Sequence, residues 1–137
     1  MIRVNYGDKL SEETCIRILN LMKGEAVAFD SNVSEDILFD IMRQSGDKVL
    51  EIVSGNSIAE ATARLQDNTD EVISGAAVLI KATPDYQFLP IELTGLLKYF
   101  DSYPMDPEIT WGYCLQSDQE STVNINILKT ETREPSL

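Results

Sequence analysis

Apolar residues recur at helical spacing in four stretches of the chain. These stretches begin near Ser11, Ser34, Asn56 and Pro90, and they predict four amphipathic helices. Ser11 and Ser34 each precede two acidic residues, which is typical of a helix N-terminus because a hydroxyl caps the first N–H groups and acids meet the positive end of the dipole. The side chains predicted to face the core are Cys15, Ile18, Leu19, Met22, Ile37, Leu38, Ile41, Met42, Ile58, Ala61, Leu65, Ile91, Leu93, Leu96, Leu97 and Phe100.

Shorter stretches alternate between apolar and polar residues or are continuously apolar, and they predict four strands. Residues 48–53 are rich in β-branched side chains, and 75–83 have the pattern of a strand buried on both faces. Two alternating stretches, 109–115 and 123–128, are expected to form an antiparallel hairpin around the polar residues between them. We expect the polar stretch that begins at Thr130 to fray.

The predicted element order is helix, helix, strand, helix, strand, helix, strand, strand. Its β-α-β-α-β-β core, preceded by two helices, implies a mixed four-stranded sheet in which right-handed crossovers join the early strands. We expect helices mainly on one face of that sheet, which makes the fold an α/β (α+β) two-layer sandwich. The predicted organisation is an N-terminal helix and linker (1–31), an α/β domain (32–130) and a polar tail (131–137).

The composition fits one globular domain, and its net charge disfavours partners of high negative charge. The chain has 137 residues, of which 43% are hydrophobic, and 23 acidic against 11 basic residues give a formal net charge of −12. That charge repels nucleic-acid phosphates and anionic membranes, so we expect neither as a partner. The first residues lack an apolar signal segment, which favours the cytoplasm, where Cys15 and Cys114 stay reduced.

The residue types exclude much catalytic chemistry. The chain has no histidine, so Ser-His and Cys-His nucleophile pairs and a histidine base are absent. Two separated cysteines do not make a structural zinc site, and no EF-hand pattern is present. We therefore expect no cofactor, no metal and no enzymatic activity. The alternative is a small enzyme or ligand-binding protein that uses Asp, Glu, Tyr or Arg side chains on the same mixed-sheet fold.

Several local patterns resemble the C-terminal domain of the tubulin/FtsZ family. Ile-Ser-Gly-Ala at 73–76 is similar to the family's Ile-x-Gly-Ala before a sheet strand, and Phe-Leu-Pro-Ile-Glu-Leu at 88–93 is similar to its Leu-x-Leu-x-Glu-Val helix opening. Ile-Thr-Trp-Gly at 109–112 resembles its Ile-Ile-Phe-Gly strand, and 123–130 resembles its last strand. The agreement in order and spacing implies that domain's fold, and a role in protein contacts, because the family uses the domain between subunits.

The family's GTP-binding half has no match here. The chain lacks the run Gly-Gly-Gly-Thr-Gly-Ser and a Walker lysine motif, so we do not expect it to bind nucleotide alone. The family's Asn-x-Asp-x-x-Asp loop, whose acids polarise the water that attacks the next subunit's GTP, matches only in part. Asn32 fits, Ser34 replaces the first acid, and Asp36 lies one position before the second, which Ile37 occupies. A displaced carboxylate is not expected to reach the same water, so Ser34 is interpreted as a helix cap and Asp36 as a dipole partner.

The sequence thus predicts a non-catalytic, FtsZ-like protein-interaction module of the cytoplasm. Its expected partner is itself, as a homo-oligomer, or a filament-forming protein. A deep polar pocket that holds carboxylates with raised pKa would favour the enzyme alternative instead. A flat surface with an exposed apolar patch would favour the module.

Overall fold

A five-stranded mixed sheet forms the centre of the protein. The computed structural model describes residues 1–22, 35–65, 72–103, 107–116 and 119–132. In the sheet, β5 lies between β2 and β3 and is antiparallel to both, β4 is parallel to β3, and β1 is antiparallel to β2. The strands are β1 (Ile2–Asn5), β2 (Asp47–Gly55), β3 (Val72–Ala82), β4 (Glu108–Leu115) and β5 (Val123–Thr132).

Four helices connect the strands near the positions that the sequence predicts. Ser11 caps the first helix, since its hydroxyl accepts a hydrogen bond from the Thr14 N–H at 3.2 Å. Ser57 caps the third helix through the Glu60 N–H at 3.0 Å. A 3₁₀ helix that starts at Pro90 leads directly into the fourth. The helices are α1 (Glu12–Leu21), α2 (Glu35–Arg43), α3 (Ile58–Thr62) and α4 (Thr94–Asp101), and the 3₁₀ helix is Pro90–Leu93.

Helices cover both faces of the sheet. On β3, Val78 and Ile80 pack against α3 and α4, whereas Leu79 faces the cluster formed by α1 and α2. The predicted α/β fold with a mixed sheet is confirmed, but the expected two layers become three. The reason is visible on β3 and β5, whose side chains are apolar on both faces, so that each face needs its own helical layer.

The strand pairing differs from the expected terminal hairpin. β4 and β5 are not neighbours, because β3 lies between them. β5 is buried along almost its whole length and takes the centre of the sheet, whereas β4 is only partly buried and lies at the edge. β1 supplies a fifth strand that the four-strand prediction did not include; its four residues are all exposed and have too little periodicity to be recognised.

The end of β5 is ordered where we expected fraying. The strand continues to Thr132, and Lys129, Thr130 and Glu131 are buried. Thr130 donates a hydrogen bond at 2.6 Å to the Ile41 carbonyl near the end of α2, which also accepts one from the Gln44 N–H at 3.3 Å. Residues 133–137 of the predicted tail lie outside the described residues.

Two of the side chains predicted to face the core from the fourth helix lie at the surface. Leu96 and Phe100 are buried, but Ile91 is 77% exposed and Leu97 is 51% exposed. Ile91 belongs to the 3₁₀ helix, whose tighter turn shifts its direction relative to α4. Leu97 follows Leu96 directly, and consecutive helical residues point about 100° apart; Leu96, Tyr99 and Phe100 form the buried face of α4, and Leu97 lies outside it.

The contrast between these neighbours gives a test of the packing. Leu96→Ala is expected to lower the free energy of unfolding by about 2–5 kcal/mol, because the change leaves a cavity under α4. Leu97→Ala is the matched control and should change that free energy by less than about 0.5 kcal/mol. Urea denaturation of both variants measures the difference. Equal losses at the two positions would contradict the orientation of α4.

Candidate functional site

The stretch that resembles the tubulin/FtsZ catalytic loop lies partly outside the described residues. Asn32 and Ser34 lie outside the described residues, so the capping role of Ser34 stays a prediction. Asp36 lies in the first turn of α2 beside Glu35, and both residues are exposed. Acidic residues at this place stabilise the positive end of a helix dipole, which is sufficient to account for them.

A buried ionic cluster lies between α4 and one end of the sheet. Lys129 on β5 and Glu51 on β2 have wholly buried side chains that contact each other through ammonium and carboxylate. Lys129 also donates to the hydroxyl of Tyr99 at 2.9 Å and to that of Tyr103. Tyr99 in turn donates to Glu51 Oε1 at 2.8 Å. The cluster therefore connects β2 and β5 with the end of α4 and with Tyr103, which follows that helix.

The charge states in this cluster suit a structural role. Burial by itself lowers the pKa of the Lys129 ammonium, but the charge of Glu51 outweighs that effect and the pKa is raised. Burial, and after it the Glu51 carboxylate, holds the pKa of the Tyr99 hydroxyl well above its usual range. The lysine is therefore charged and the tyrosine neutral near pH 7. A lysine nucleophile or general base needs the opposite shift, so the cluster does not form an acid–base centre.

A second buried lysine, Lys48, binds backbone carbonyls just after the end of α2. The Lys48 ammonium donates to the backbone carbonyls of Asp8 at 2.7 Å, Gln44 at 2.5 Å and Gly46 at 2.9 Å. The hydrogen bond that the Asp8 carboxylate accepts from the Gly46 N–H, and its contact with Lys48, lower the pKa of Asp8. Beside this contact lies a hollow of about 400 Å³ lined by Asp8, Gly46, Asp47 and Glu131. Across the described part of the chain, no group of three or more acidic, histidine or cysteine side chains is arranged to hold a metal.

An open groove of about 530 Å³ runs between α3 and the segment formed by the 3₁₀ helix and α4. Its position is fixed by Tyr86, whose hydroxyl donates to Glu92 at 2.5 Å and accepts from the Ile58 N–H at 3.1 Å. Burial, followed by the hydrogen bond to Glu92, raises the pKa of Tyr86 to about 12. The groove is lined by Ala59, Thr62, Ala63, Leu65, Ile91, Glu92, Thr94, Gly95, Lys98, Tyr99 and Ser102.

Large apolar side chains are exposed in residues 88–97, and one of them, Ile91, lines the groove. Phe88 is 37% exposed, Leu89 58%, Ile91 77% and Leu97 51%, and we call these four residues the 88–97 surface. The sequence prediction missed the surface because it assigned Ile91 and Leu97 to the core. The signal that could have revealed it is an excess of apolar residues in a short helix, more than one buried face can accommodate. No helix in the described ranges is long and apolar enough to cross a membrane.

The buried cluster makes stability sensitive to alkaline pH. The folded pKa values of Tyr99 and Lys129 lie above those of the unfolded chain, which are about 10 and about 10.4. The unfolded chain therefore releases protons first, and the stabilisation present below about pH 10 is lost as pH rises. We expect the free energy of unfolding to fall by about 1.4 kcal/mol per pH unit for each group above that point.

Urea denaturation between about pH 8 and 11 measures this loss. Tyr99→Phe should give a shallower decline because one of the two groups is removed. Tyr6→Phe, at a half-buried tyrosine packed on the opposite face of the sheet, is the control and should follow the unmodified chain. If the free energy of unfolding falls with pH at the same rate in Tyr99→Phe and the unmodified chain, the pKa of Tyr99 is not raised in the folded state.

Comparison with known proteins relates the fold to FtsZ. No protein-family model matches the chain, and no curated protein matches it. Among solved structures, an FtsZ dimer from M. jannaschii is similar with a TM-score of 0.60 and 18% identity, and the match covers 82% of this chain and 34% of that one. A second M. jannaschii FtsZ structure, of a point variant, has a TM-score of 0.56 and 15% identity and is covered to 36%, as against 85% of this chain.

A third similar structure is CetZ from Methanosaeta thermophila strain DSM 6194, with a TM-score of 0.56 and 12% identity, where the match covers 88% of this chain and 35% of that one. The chain thus spans about a third of the length of the solved structures that it matches. At these identities the likeness concerns the fold. The predicted similarity to the FtsZ C-terminal domain is confirmed at that level: this chain has the fold of one part of FtsZ and CetZ.

Proposed function

We propose that this chain is a non-catalytic, FtsZ-like protein-interaction module that binds its partner through the 88–97 surface. The observation that carries this proposal is the exposure of Phe88, Leu89, Ile91 and Leu97 within one short segment, of which Ile91 lines an open groove. A concentration of exposed apolar residues of this kind on a small domain favours a protein contact. Covering these side chains would contribute on the order of 3–7 kcal/mol before the cost of association.

The partner that fits best is an apolar segment with basic residues around it. Glu92 and Lys98 line the groove, the exposed Asp85 and Asp101 are close in sequence to residues of the same segment, and the exposed Arg64 is paired with Glu60 at 3.4 Å. The net charge of −12 also makes two copies of the chain repel each other. We therefore favour a different, filament-forming protein as the partner over a second copy. The M. jannaschii FtsZ that shares the fold is a dimer, which supports protein association as a use of this fold.

The enzyme alternative has weaker support. Its carrying observation would be a polar pocket with an acid of raised pKa, but the pKa of Asp8, beside the acidic hollow, is lowered. Lys129 and Glu51, the other candidates for polar chemistry, are wholly buried against each other. Neither place presents a reactive group to a substrate.

The test uses affinity capture from native cells, identification of the captured protein, and calorimetry with that protein once purified. The double variant Ile91→Ser, Leu97→Ser should raise the dissociation constant at least tenfold, which corresponds to about 1.4 kcal/mol of lost contact. Both side chains are exposed, so the fold should be unaffected. Binding of a basic partner should also weaken as the salt concentration rises.

The control is Ile16→Ser, at an exposed position on α1 on the opposite side of the sheet, and it should bind like the unmodified chain. Equal affinities for the double variant and the unmodified chain would overturn the assignment of the surface. Sedimentation velocity tests whether a second copy of the chain binds the surface instead. A dimer of the unmodified chain that Leu97→Ser dissociates would show that it does.

A further inference from the structure

Among the residues that the structure describes, β4 forms one edge of the sheet and pairs only with β3. This parallel pairing continues to Gln116, whose N–H donates to the Ala82 carbonyl at 2.8 Å. The backbone groups of successive strand residues point to opposite sides, so the even-numbered residues of β4 bond to β3. The odd-numbered residues therefore direct their backbone N–H and C=O groups away from the sheet, as at Ile109, Trp111 and Leu115.

The β4 edge lacks the features that usually keep a sheet edge from pairing with another chain. Residues 109–115 contain neither a charged residue nor a proline, and they pair with β3 without a bulge. The opposite edge, β1, has only four residues, and one of them is the charged Arg3. Short edge strands and charged side chains are common protections against pairing. The difference between the two edges indicates that β4 is the one available to a further strand.

The side chains beside this edge are apolar and lead to the 88–97 surface. The odd-numbered residues of β4 pack on the face that α3 and α4 cover, where the ring of Trp111 lies 5.9 Å from that of Phe100. Phe88, which belongs to the 88–97 surface, contacts Tyr113 with ring centroids 5.0 Å apart. Paired residues of neighbouring strands place their side chains on the same face of a sheet. Every second residue of an added strand would therefore lie beside these aromatic rings.

The charge of the chain favours a basic segment of another protein at this edge. Glu108, the first residue of β4, is exposed, and the net charge of the chain is −12. A second copy would bring the same net charge, and its residues 109–115 would supply no cation to offset it. A segment with basic residues at its ends is attracted instead, and its apolar middle matches the uncharged part of β4.

We propose that β4 is a strand-addition site, at which an extended segment of the partner protein pairs with residues 109–115. The segment alternates apolar residues with others, runs antiparallel to β4, and carries basic residues at its ends. Main-chain hydrogen bonds supply affinity, and the apolar side chains beside Trp111 and Tyr113 supply specificity. This inference rests on the function proposed above, because it describes how the partner of the 88–97 surface continues past Phe88 onto the sheet.

The probe is a display library of overlapping short segments of the proteins of the native cell, selected on the immobilised full chain. Ile109→Pro removes an N–H group that points away from β3, so the pairing of β3 with β4 is retained. Ile109→Ala is the matched control, since it loses the same side chain but keeps the N–H group. The selected segments should bind Ile109→Pro at least about tenfold more weakly than Ile109→Ala in calorimetry. Equal affinities, or a selection that yields no segment, would overturn the proposal.

The double variant Ile91→Ser, Leu97→Ser separates this proposal from the function on which it rests. Segments that bind the double variant weakly but bind Ile109→Pro and Ile109→Ala equally would support the 88–97 surface and overturn strand addition. Segments that bind the double variant normally and Ile109→Pro weakly would support strand addition and contradict the 88–97 surface.

Hydrogen exchange decides the question in the unmodified chain if Ile109→Pro does not fold. A selected segment should slow the exchange of the amides of Ile109, Trp111 and Leu115 at least about tenfold, and that of the even-numbered amides much less, because these already bond to β3. Uniform protection along β4, or none, would overturn the proposal. In sedimentation velocity, a dimer that Ile109→Pro dissociates and Ile109→Ala does not would overturn the choice of partner, because a second copy would then occupy the edge.

Discussion

The placement of β5 at the centre of the sheet constrains most of the other elements. Ile125 and Ile127 face α3 and α4, and Leu128 faces α1 and α2, so the strand must be covered on both sides. The polar residues of β5 also hold the helices in place: Asn126 donates to the Leu21 carbonyl at the end of α1 at 2.9 Å, as Thr130 does for α2. One strand thus fixes the sheet order, the number of layers and the ends of two helices.

The ionic cluster at the end of this strand has a different energetic character. Burying Lys129 and Glu51 removes two charges from water, and their attraction only offsets that cost when the geometry is good. Such a pair therefore contributes more to selecting which structural elements pack together than to the net free energy of folding. Here the hydrogen bonds of Tyr99 and Tyr103 hold α4 in one position over the sheet, and the ion pair of Arg3 with Glu131 holds β1 at the edge of the sheet. The position of α4 matters because the helix carries Leu97, part of the 88–97 surface.

Much of the fold was predictable because local signals and burial agree. The cap at Ser11, the start of the third helix next to Asn56 and the apolar run of β3 all lie where the pattern puts them. The position of β5 was not predictable, because two alternating strands in succession usually pair and only tertiary burial separates them. The ionic cluster could not be predicted either, since Glu51 and Lys129 look like ordinary exposed charges until β2 and β5 become neighbours. The 88–97 surface was not predicted, because the apolar residues of the fourth helix were all assumed to be buried.

The topology places position 97 at the surface, and folding alone does not require an apolar residue there. α4 connects β3 to β4, which are parallel neighbours, and the helix of such a crossover rests on one face of the sheet. It has eight residues, of which Leu96, Tyr99 and Phe100 fill that face, so a polar residue at position 97 would serve the fold as well as leucine. The same holds for Ile91 in the 3₁₀ helix. These apolar positions, which the core does not use, are the observation on which the proposed function rests, whereas the charges of the ionic cluster are buried and unavailable to a partner.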